Sequence, residues 1–528
     1  MCEREGREAP GQVQDELMIR GQTSRVTVSL RELLPTSSFV GCGDVRVRSA
    51  TDRSERCQPG QLFAAVRGLR HDGLDYVGEA LERQAGALLV SQPVATAEVP
   101  QCVVGDVRGA YARVCQALAG DPSRLLTLTG ITGTNGKTTV SWLLRSIWQA
   151  AGHPAGLVGT IEYDDGGHTQ IADLTTPAAP ELASWLAAMA ARGTTHAALE
   201  LSSHALDQGR AVGVELASAV ITNLTQDHFD YHHDWAGYTT AKARIVELVR
   251  SGGHVFYNSD DGRVRELLRG ANVLASRAEG FVSFGLGDGP ESDWRARGVG
   301  EAVRGTRFIV EKNGVPRPGL EVSTRLVGRF NVRNCLAAIA VAAEEGIPES
   351  SIVAGIGSLS WVPGRLESIH CGQPYDVFVD YAHTDDALRR SLKALRRVVP
   401  GRVVCVFGAG GDRDRGKRPL LGAAAGESAD VCIITSDNPR SEDPERILSA
   451  VAEGVSAVGG EPYVVVDRQE AIGHAIRLAR PGDAILVAGK GHETYQEIGG
   501  RRLRFDDREV LRATLSGSSR AESIGAER

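Results

Sequence analysis

Several things are missing from these 528 residues, and each absence argues against a class of function. No apolar run approaches the ~20 residues needed to span a bilayer, so membrane insertion is not expected. The first residues, "MCEREGREAPGQVQDELMIRGQ", are charged and lack the apolar stretch of a secretory signal; a frayed tail is expected there. There is no basic tract and no zinc-finger spacing, and the net charge is −7, which argues against a nucleic-acid partner. The nine cysteines form no C-x-x-C pair and most sit in apolar segments, as expected of reduced thiols in a cytoplasmic protein. No internal repeat is found, and a monomer is expected.

What is present is an alternation. Short runs rich in Val, Ile and Leu ("GALLV", "RLLTLTG", "HAALEL", "SAVITNL", "RVVCVFG", "DVCIITS", "DAILVAG") are separated by segments of helical period. Continuous apolar runs suit strands buried on both faces, as in parallel sheets, so an α/β fold is expected. At about 150 residues per domain, three or four domains would fit the length. Linkers are expected at Gly120–Leu126 and at Ser358–Glu367, where Pro363-Gly364 breaks a helical region. The helix "VRGAYARVCQALAG" before the first linker could pack with either neighbour. Three domains result, drawn at 24–110, 111–361 and 362–515. The insert "GLGDGPESDWRARG" is expected to be a surface hairpin region, and the tail "SGSSRAESIGAER" to be disordered.

"LTGITGTNGKTTVSWLL" (Leu128–Leu144) places a Gly-rich turn between an apolar strand and a helix. Backbone N–H groups and the helix dipole cradle phosphate in that setting. Gly133, Thr134, Asn135, Gly136, Lys137, Thr138 and Thr139 are therefore candidate ATP-binding residues. Lys137 would reach the outer phosphates, and the Thr138 hydroxyl would reach Mg²⁺. The spacing departs from G-x-x-x-x-G-K-[ST], because Ile131 stands where the first glycine should be.

The variant T-G-T-N-G-K-T-T resembles the ATP loop of the Mur ligase family, whose members form amide bonds through an acyl phosphate. Collinear motifs extend the resemblance over roughly residues 24 to 510. It implies three α/β domains: an N-terminal UDP-substrate-binding domain, a central ATP-binding domain with a parallel sheet, and a C-terminal Rossmann-like domain. From "ALELSSHALDQGR" and "NLTQDHFDYHHDWAGYTTAKARI" it implies Mg²⁺ ligation by Glu200 and His228 and a carbamylated Lys242, with Lys137 completing the catalytic set. Carbamylation needs a neutral amine, so the site should depress the Lys242 pKa. Two anionic reactants also need a divalent cation between them. In "GRFNVRNCLAAIAVA" the resemblance assigns Asn331 to adenine; in "PGRLE" it places Arg365 near the phosphates. "VFVDYAHTDDAL" supplies Asp380 and His383, with Asp385 where the family usually has proline; a first helical turn tolerates both.

For the muramoyl-dipeptide nucleotide the resemblance implies Ser54, Leu69, Arg70, His71, Thr175, Thr176, Ser202, Gln208 and Arg210. The segment Arg53-Ser54-Glu55 departs from the family's D-S-R, and Gln61 replaces an aspartate. The third-domain runs "GAGGDRDRGKRPL", "TSDNPRSEDP" and "AGKGHETYQ" resemble the branch that adds the third stem-peptide residue. They imply diaminopimelate contacts from Arg413, Asp437, Asn438, Pro439, Arg440, Gly489 and Glu493. Arg440 can grip the distal carboxylate with a bidentate fork, which lysine as substrate lacks. Asn438 and Glu493 are expected to take the distal ammonium. The implied reaction is ATP-dependent amide ligation to small-molecule substrates. A sister ligase using another amine, and a non-catalytic nucleotide binder, are the alternatives.

Overall fold

The computed structural model describes residues 26–68, 71–270, 278–287, 292–315 and 318–525. It has three α/β layers in chain order. The first holds a five-stranded sheet whose spatial order is Ser38–Val40, Gln101–Val103, Ala87–Val90, Leu62–Ala64 and Ala50–Thr51. All its neighbours are parallel except Ser38–Val40. The helix Val107–Leu118 lays Tyr111, Val114 and Cys115 onto this sheet's core. The expected division at 110/111 therefore falls inside a helix that packs mainly on the first sheet.

The central layer is an eleven-stranded sheet. Parallel neighbours run in the order Ala155–Val158, His196–Glu200, Thr127–Thr132, Leu216–Ile221, Val249–Asn258 and Gly280–Gly285. The alternation along "HAALE" shows why the run is apolar throughout. Ala198 enters the core on one face, while Ala197 and Leu199 enter the core on the other. The helix Lys137–Ala150 buries Val140, Leu143, Leu144, Ile147 and Trp148 against that sheet. Each such side chain contributes roughly 2 kcal/mol of apolar burial.

The C-terminal sheet orders Glu367–Ser368, Asp376–Asp380, Ala484–Ala488, Val403–Phe407, Val431–Ile434 and Tyr463–Val464, parallel but for the first. An antiparallel hairpin, Tyr495–Ile498 with Arg501–Arg504, lies beside it. All seven apolar runs singled out in the sequence contribute strands.

Two expectations change. "DWRARG" does open a hairpin, Trp294–Ala302 antiparallel to Gly305–Lys312, but not on the surface: it is part of the central sheet, and Trp294 and Ala296 are core residues; 288–291 lie outside the described residues. The flanking Gly and Pro residues hid two apolar side chains spaced for one face of a strand. The tail is not disordered up to Gly525, because the last helix runs Asp507–Gly525; no proline interrupts its hydrogen-bond ladder. Met1–Gln22 lies outside the described residues. Among those described, no helix is long and apolar enough to cross a membrane, and all eight cysteines are free thiols.

One buried ion pair ties the third layer together. Arg468 and Asp507, both with fully buried side chains, meet through two bonds of 2.8 Å. The same guanidinium donates to the carbonyls of Ser436 and Ala488, just at the ends of two parallel strands. Removing one partner strands a buried charge. Asp507→Asn is expected to lower unfolding free energy by about 3 kcal/mol or more in urea titrations; an unchanged midpoint would refute this.

Candidate active site

The carboxyl ends of the central and C-terminal parallel sheets face a shared cavity of about 860 Å³. Ligands bind α/β sheets at such strand ends. Its walls include the phosphate loop and Thr222–Leu224 from the central sheet, Asn331 and Asn334 from the helix Arg329–Glu344, and Arg365 and Asp380–Thr384 from the third layer.

Gly133 (φ 141°) and Gly136 (φ 93°) shape the loop. A Cβ on Gly133 would lie 1.9 Å from Thr222 Oγ1, and one on Gly136 would lie 2.5 Å from Asn334 Oδ1. Only glycine fits either position. Two lysines converge on one acceptor: Lys137 Nζ and Lys242 Nζ donate to the Gly133 carbonyl at 3.0 and 2.9 Å. Burial drives the Lys242 pKa well below its ordinary value, and the Lys137 charge adds to the shift. This meets the expectation of a depressed amine. Lys137 is lowered too, by burial above all.

Glu200 ends its strand fully buried, yet its carboxylate is well supplied. It accepts from Thr138 Oγ1 (3.0 Å), Ser141 Oγ (3.2 Å), Thr160 N (3.2 Å) and Thr160 Oγ1 (2.8 Å). His228 takes a positive φ of 54° at the start of a short helical turn, 3.3 Å from Asp227. Although its side chain is 46% exposed, desolvation by the surrounding wall, then His204, Lys137 and Lys242, outweigh Asp227 and lower the imidazole pKa from its ordinary value. The Glu200 carboxylate, the Thr138 hydroxyl and the His228 imidazole are each of a type that a hard divalent cation with retained water accepts, and Thr138 meets Glu200 directly, but among the described residues no three His, Cys, Asp or Glu side chains are grouped to hold a metal ion. Arg365 donates to Thr138 Oγ1 at 3.2 Å across the domain boundary, and its buried Nε has no partner within the protein. Asn135 Nδ2 is buried without a partner as well. Both fit an anionic ligand with acceptor oxygens.

Other expected residues are placed as follows. Asn331 is buried, its amide bonded to the Val327 carbonyl and to Asn334. Asp380 spends its carboxylate on the turn that follows, accepting from Leu366 N, Ala382 N and Ser391 Oγ. Asp385 opens the helix Asp385–Val398, capped by Thr384. Thr176 Oγ1 donates to the Glu200 carbonyl and accepts from Ser202 N, and Arg210 binds the Thr176 carbonyl and Gln208. Thr175 reaches Thr160 at 3.2 Å. These lie together on the first-layer side of the phosphate loop. Ser54 is different: its hydroxyl donates to Glu79 at 2.7 Å inside the first layer. His71 is exposed. Leu69 and Arg70 lie outside the described residues.

In the third layer, Arg440 is held by its backbone and its guanidinium. Its φ is 55°, its N–H binds the Glu497 carbonyl and its carbonyl binds Gly499 N. Its Nη1 donates to the Gly411 carbonyl at 2.6 Å. A Cβ on Gly410 would lie 3.0 Å from that guanidinium and 3.7 Å from Arg413 Cγ, so the two arginines flank one glycine-lined spot. A Cβ on Gly489 would lie 2.4 Å from Asp437. Gly489 N binds the Asp380 carbonyl at 3.0 Å, which joins this pocket to the cavity wall.

Asn438 requires a correction. Its Oδ1 accepts from Lys490 Nζ (2.9 Å) and Glu497 N (3.0 Å), and its Nδ2 donates to Glu493 Oε2 (2.9 Å). An ammonium and a backbone N–H can only donate, so the amide orientation is fixed. Asn438 has no free acceptor and cannot take an ammonium as expected; Glu493 can. Sequence reasoning also missed Lys490, Asp227, Thr160 and Lys417. Lys417 reaches Asp227 at 3.5 Å across the boundary. Lys490, Asp227 and Lys417 carried a signal, their places inside "AGKGHETYQ", "NLTQDHFDYHH" and "GAGGDRDRGKRPL"; Thr160 carried none.

The description "Mur ligase middle domain" matches residues 131–342, and "Mur ligase, glutamate ligase domain" matches 364–491. A protein of Solibacter usitatus is 41% identical over 88% of this chain and 92% of its own length. One of Bacillus cereus is 40% identical over 88% and 93%. The chain belongs to the Mur ligase family. Both of those family members are named UDP-N-acetylmuramoyl-L-alanyl-D-glutamate–2,6-diaminopimelate ligase. A solved structure of a ligase with that name is 31% identical, covers 94% of this chain and all of its own, and superposes with a TM-score of 0.67. The fold is shared more widely, as with the MurF ligase of Thermotoga maritima in complex with ADP (16% identity, TM-score 0.58).

The buried lysine makes a stability prediction. With a folded pKa below the unfolded one, Lys242 costs stability at low pH, and the cost fades as pH rises toward the ordinary value of 10.5. Lys242→Met is expected to raise the melting temperature of bicarbonate-free protein at pH 7. The gain should shrink steadily by pH 10. A variant less stable than wild type at pH 7 would contradict it.

Proposed function

We propose that this family member is an ADP-forming ligase that joins diaminopimelate to UDP-N-acetylmuramoyl-L-alanyl-D-glutamate, in the cytoplasm, for peptidoglycan precursor synthesis. The observation that carries this reading is the third-layer pocket. Arg440 and Arg413 flank Gly410, and Glu493 is tied to the same loop through the Asn438 amide. A second amino-acid head group needs that combination of cationic fork and carboxylate.

The chemistry follows from the neighbouring cavity. ATP lies over Gly133–Thr139, with adenine toward Asn331 and the phosphates toward Lys137 and Arg365. Thr138, Glu200, His228 and carbamylated Lys242 would hold Mg²⁺, which neutralises phosphate charge and polarises the transferred group. Thr175, Thr176, Ser202, Gln208 and Arg210 orient the dipeptide, while Ser54, Arg70 and His71 lie toward the nucleotide. The substrate's γ-carboxylate oxygen attacks the γ-phosphorus, and ADP leaves. Lys137 and Arg365 meet the charge that spreads over the phosphoryl oxygens. The neutral amine then attacks the acyl carbon, the acyl–phosphate bond breaks, and the amine's proton leaves with the phosphate. Domain closure brings the amine pocket to the acyl phosphate. We assign the first layer, through the helix Val107–Leu118, to nucleotide-substrate binding, the central layer to ATP binding and the third to amino-acid binding, in a monomer.

Phosphate release with ATP, Mg²⁺ and the muramoyl-dipeptide nucleotide tests this. Turnover is expected with meso- or LL-diaminopimelate and not with L-lysine, with the tripeptide nucleotide detected by mass spectrometry. Turnover with lysine alone would keep the ligase and reject the acceptor. Arg440→Met should lower kcat/KM for diaminopimelate about 100-fold, the scale for losing a buried charged contact. The KM for ATP should change little.

A further inference from the structure

Lys490 is among the largest fully buried side chains, and no step of the reaction uses it. Its ammonium lies 2.9 Å from Asn438 Oδ1, 3.3 Å from Glu493 Oε2 and 4.0 Å from Asp437 Oδ1. Its outer face packs toward the Tyr495 ring, 5.7 Å from the centroid. A lysine this deep is retained only where neighbouring acceptors replace its water. Here those acceptors are three side chains of the amine pocket.

We infer that Lys490 is the positioning residue that sets the acceptor pocket's polarity, by orienting the Asn438 amide and neutralising one of the two carboxylates, Asp437 and Glu493. Two consequences follow. The Asn438 oxygen is consumed, so its remaining N–H presents a donor to the ligand, suited to carboxylate and not to ammonium. The pair of carboxylates with one lysine carries a single net negative charge, which matches one incoming ammonium. Without Lys490, the two carboxylates lose their shared counter-charge and the Asn438 amide is free to turn. Arg468, just behind, donates to the Ser436 and Ala488 carbonyls and is paired with Asp507; its charge also acts on Asp437 and Glu493, but it makes no hydrogen bond to either and does not orient the Asn438 amide.

This inference rests on the acceptor reading above, and the wild-type amine panel judges that reading by itself. With the amine that wild type uses, Lys490→Met is expected to raise the amine KM about 30-fold, while KM for ATP and for the nucleotide stay within about twofold. Glu493→Gln should absorb most of the effect: Lys490→Met in that background should change the amine KM less than about threefold, because the two act as one unit. If Lys490→Met does not fold, Lys490→Arg gives the same split at smaller size, since its fork cannot fit both acceptors. Equal loss toward all three substrates, full additivity with Glu493→Gln, or an unchanged amine KM would each overturn the inference.

Discussion

Two ammonium groups donating to one carbonyl oxygen set the terms for everything around them. Lys137 and Lys242 both reach Gly133 O from inside the protein. Burial above all depresses both pKa values, and the Lys137 charge lowers that of Lys242 further. The arrangement is stable only with negative charge close by. Glu200 supplies one such charge from a strand end, and polyphosphate is suited to supply the rest. The glycines of the loop, the four donors on Glu200 and the lowered pKa of His228 all follow from building that spot at the junction of a strand and a helix.

Backbone strain collects in the same region. Among the described residues, seven that are not glycine have positive φ, and His228, His233, Leu366, Asp412 and Arg440 are five of them. Each such conformation costs on the order of 1–3 kcal/mol and persists only where surroundings over-determine it. Here the restraints are visible. Asp380 pins Leu366, the Tyr495–Arg504 hairpin clamps Arg440 from both backbone directions, and Ser441 donates twice to Asp412. The strain aims Arg365 at the phosphate loop and Arg440 at the amine pocket.

The two chemistries are joined through short links between strand ends. Asp380 O accepts from Gly489 N, and Tyr381 packs between His383 and His492. Arg468 and Asp507 fix the strand ends that carry "DNPR" and "KGHE". ATP groups and amine groups thus share a frame. A rotation of the third layer against the central one would move both sets together relative to the phosphate loop.

The sequence by itself determined the α/β class, the strands, the phosphate loop and the family, because these depend on local pattern and on residues close in the chain. Thr138 and Glu200 could be named separately, and so could Lys137 and Lys242. Only the tertiary structure decided that they meet, since parallel strand order brings residues dozens of positions apart to one sheet edge. It also decided the polarity of Asn438. An amide side chain is symmetric in a sequence pattern, and its donor and acceptor ends are told apart only by neighbours, here Lys490 and Glu497 N–H. The same reason hid Trp294, whose strand lies among turn-forming residues and is defined by its partner strand, Gly305–Lys312. Ser54 kept its place in the motif but turned its hydroxyl to Glu79, a partner 25 positions away that no local pattern identifies.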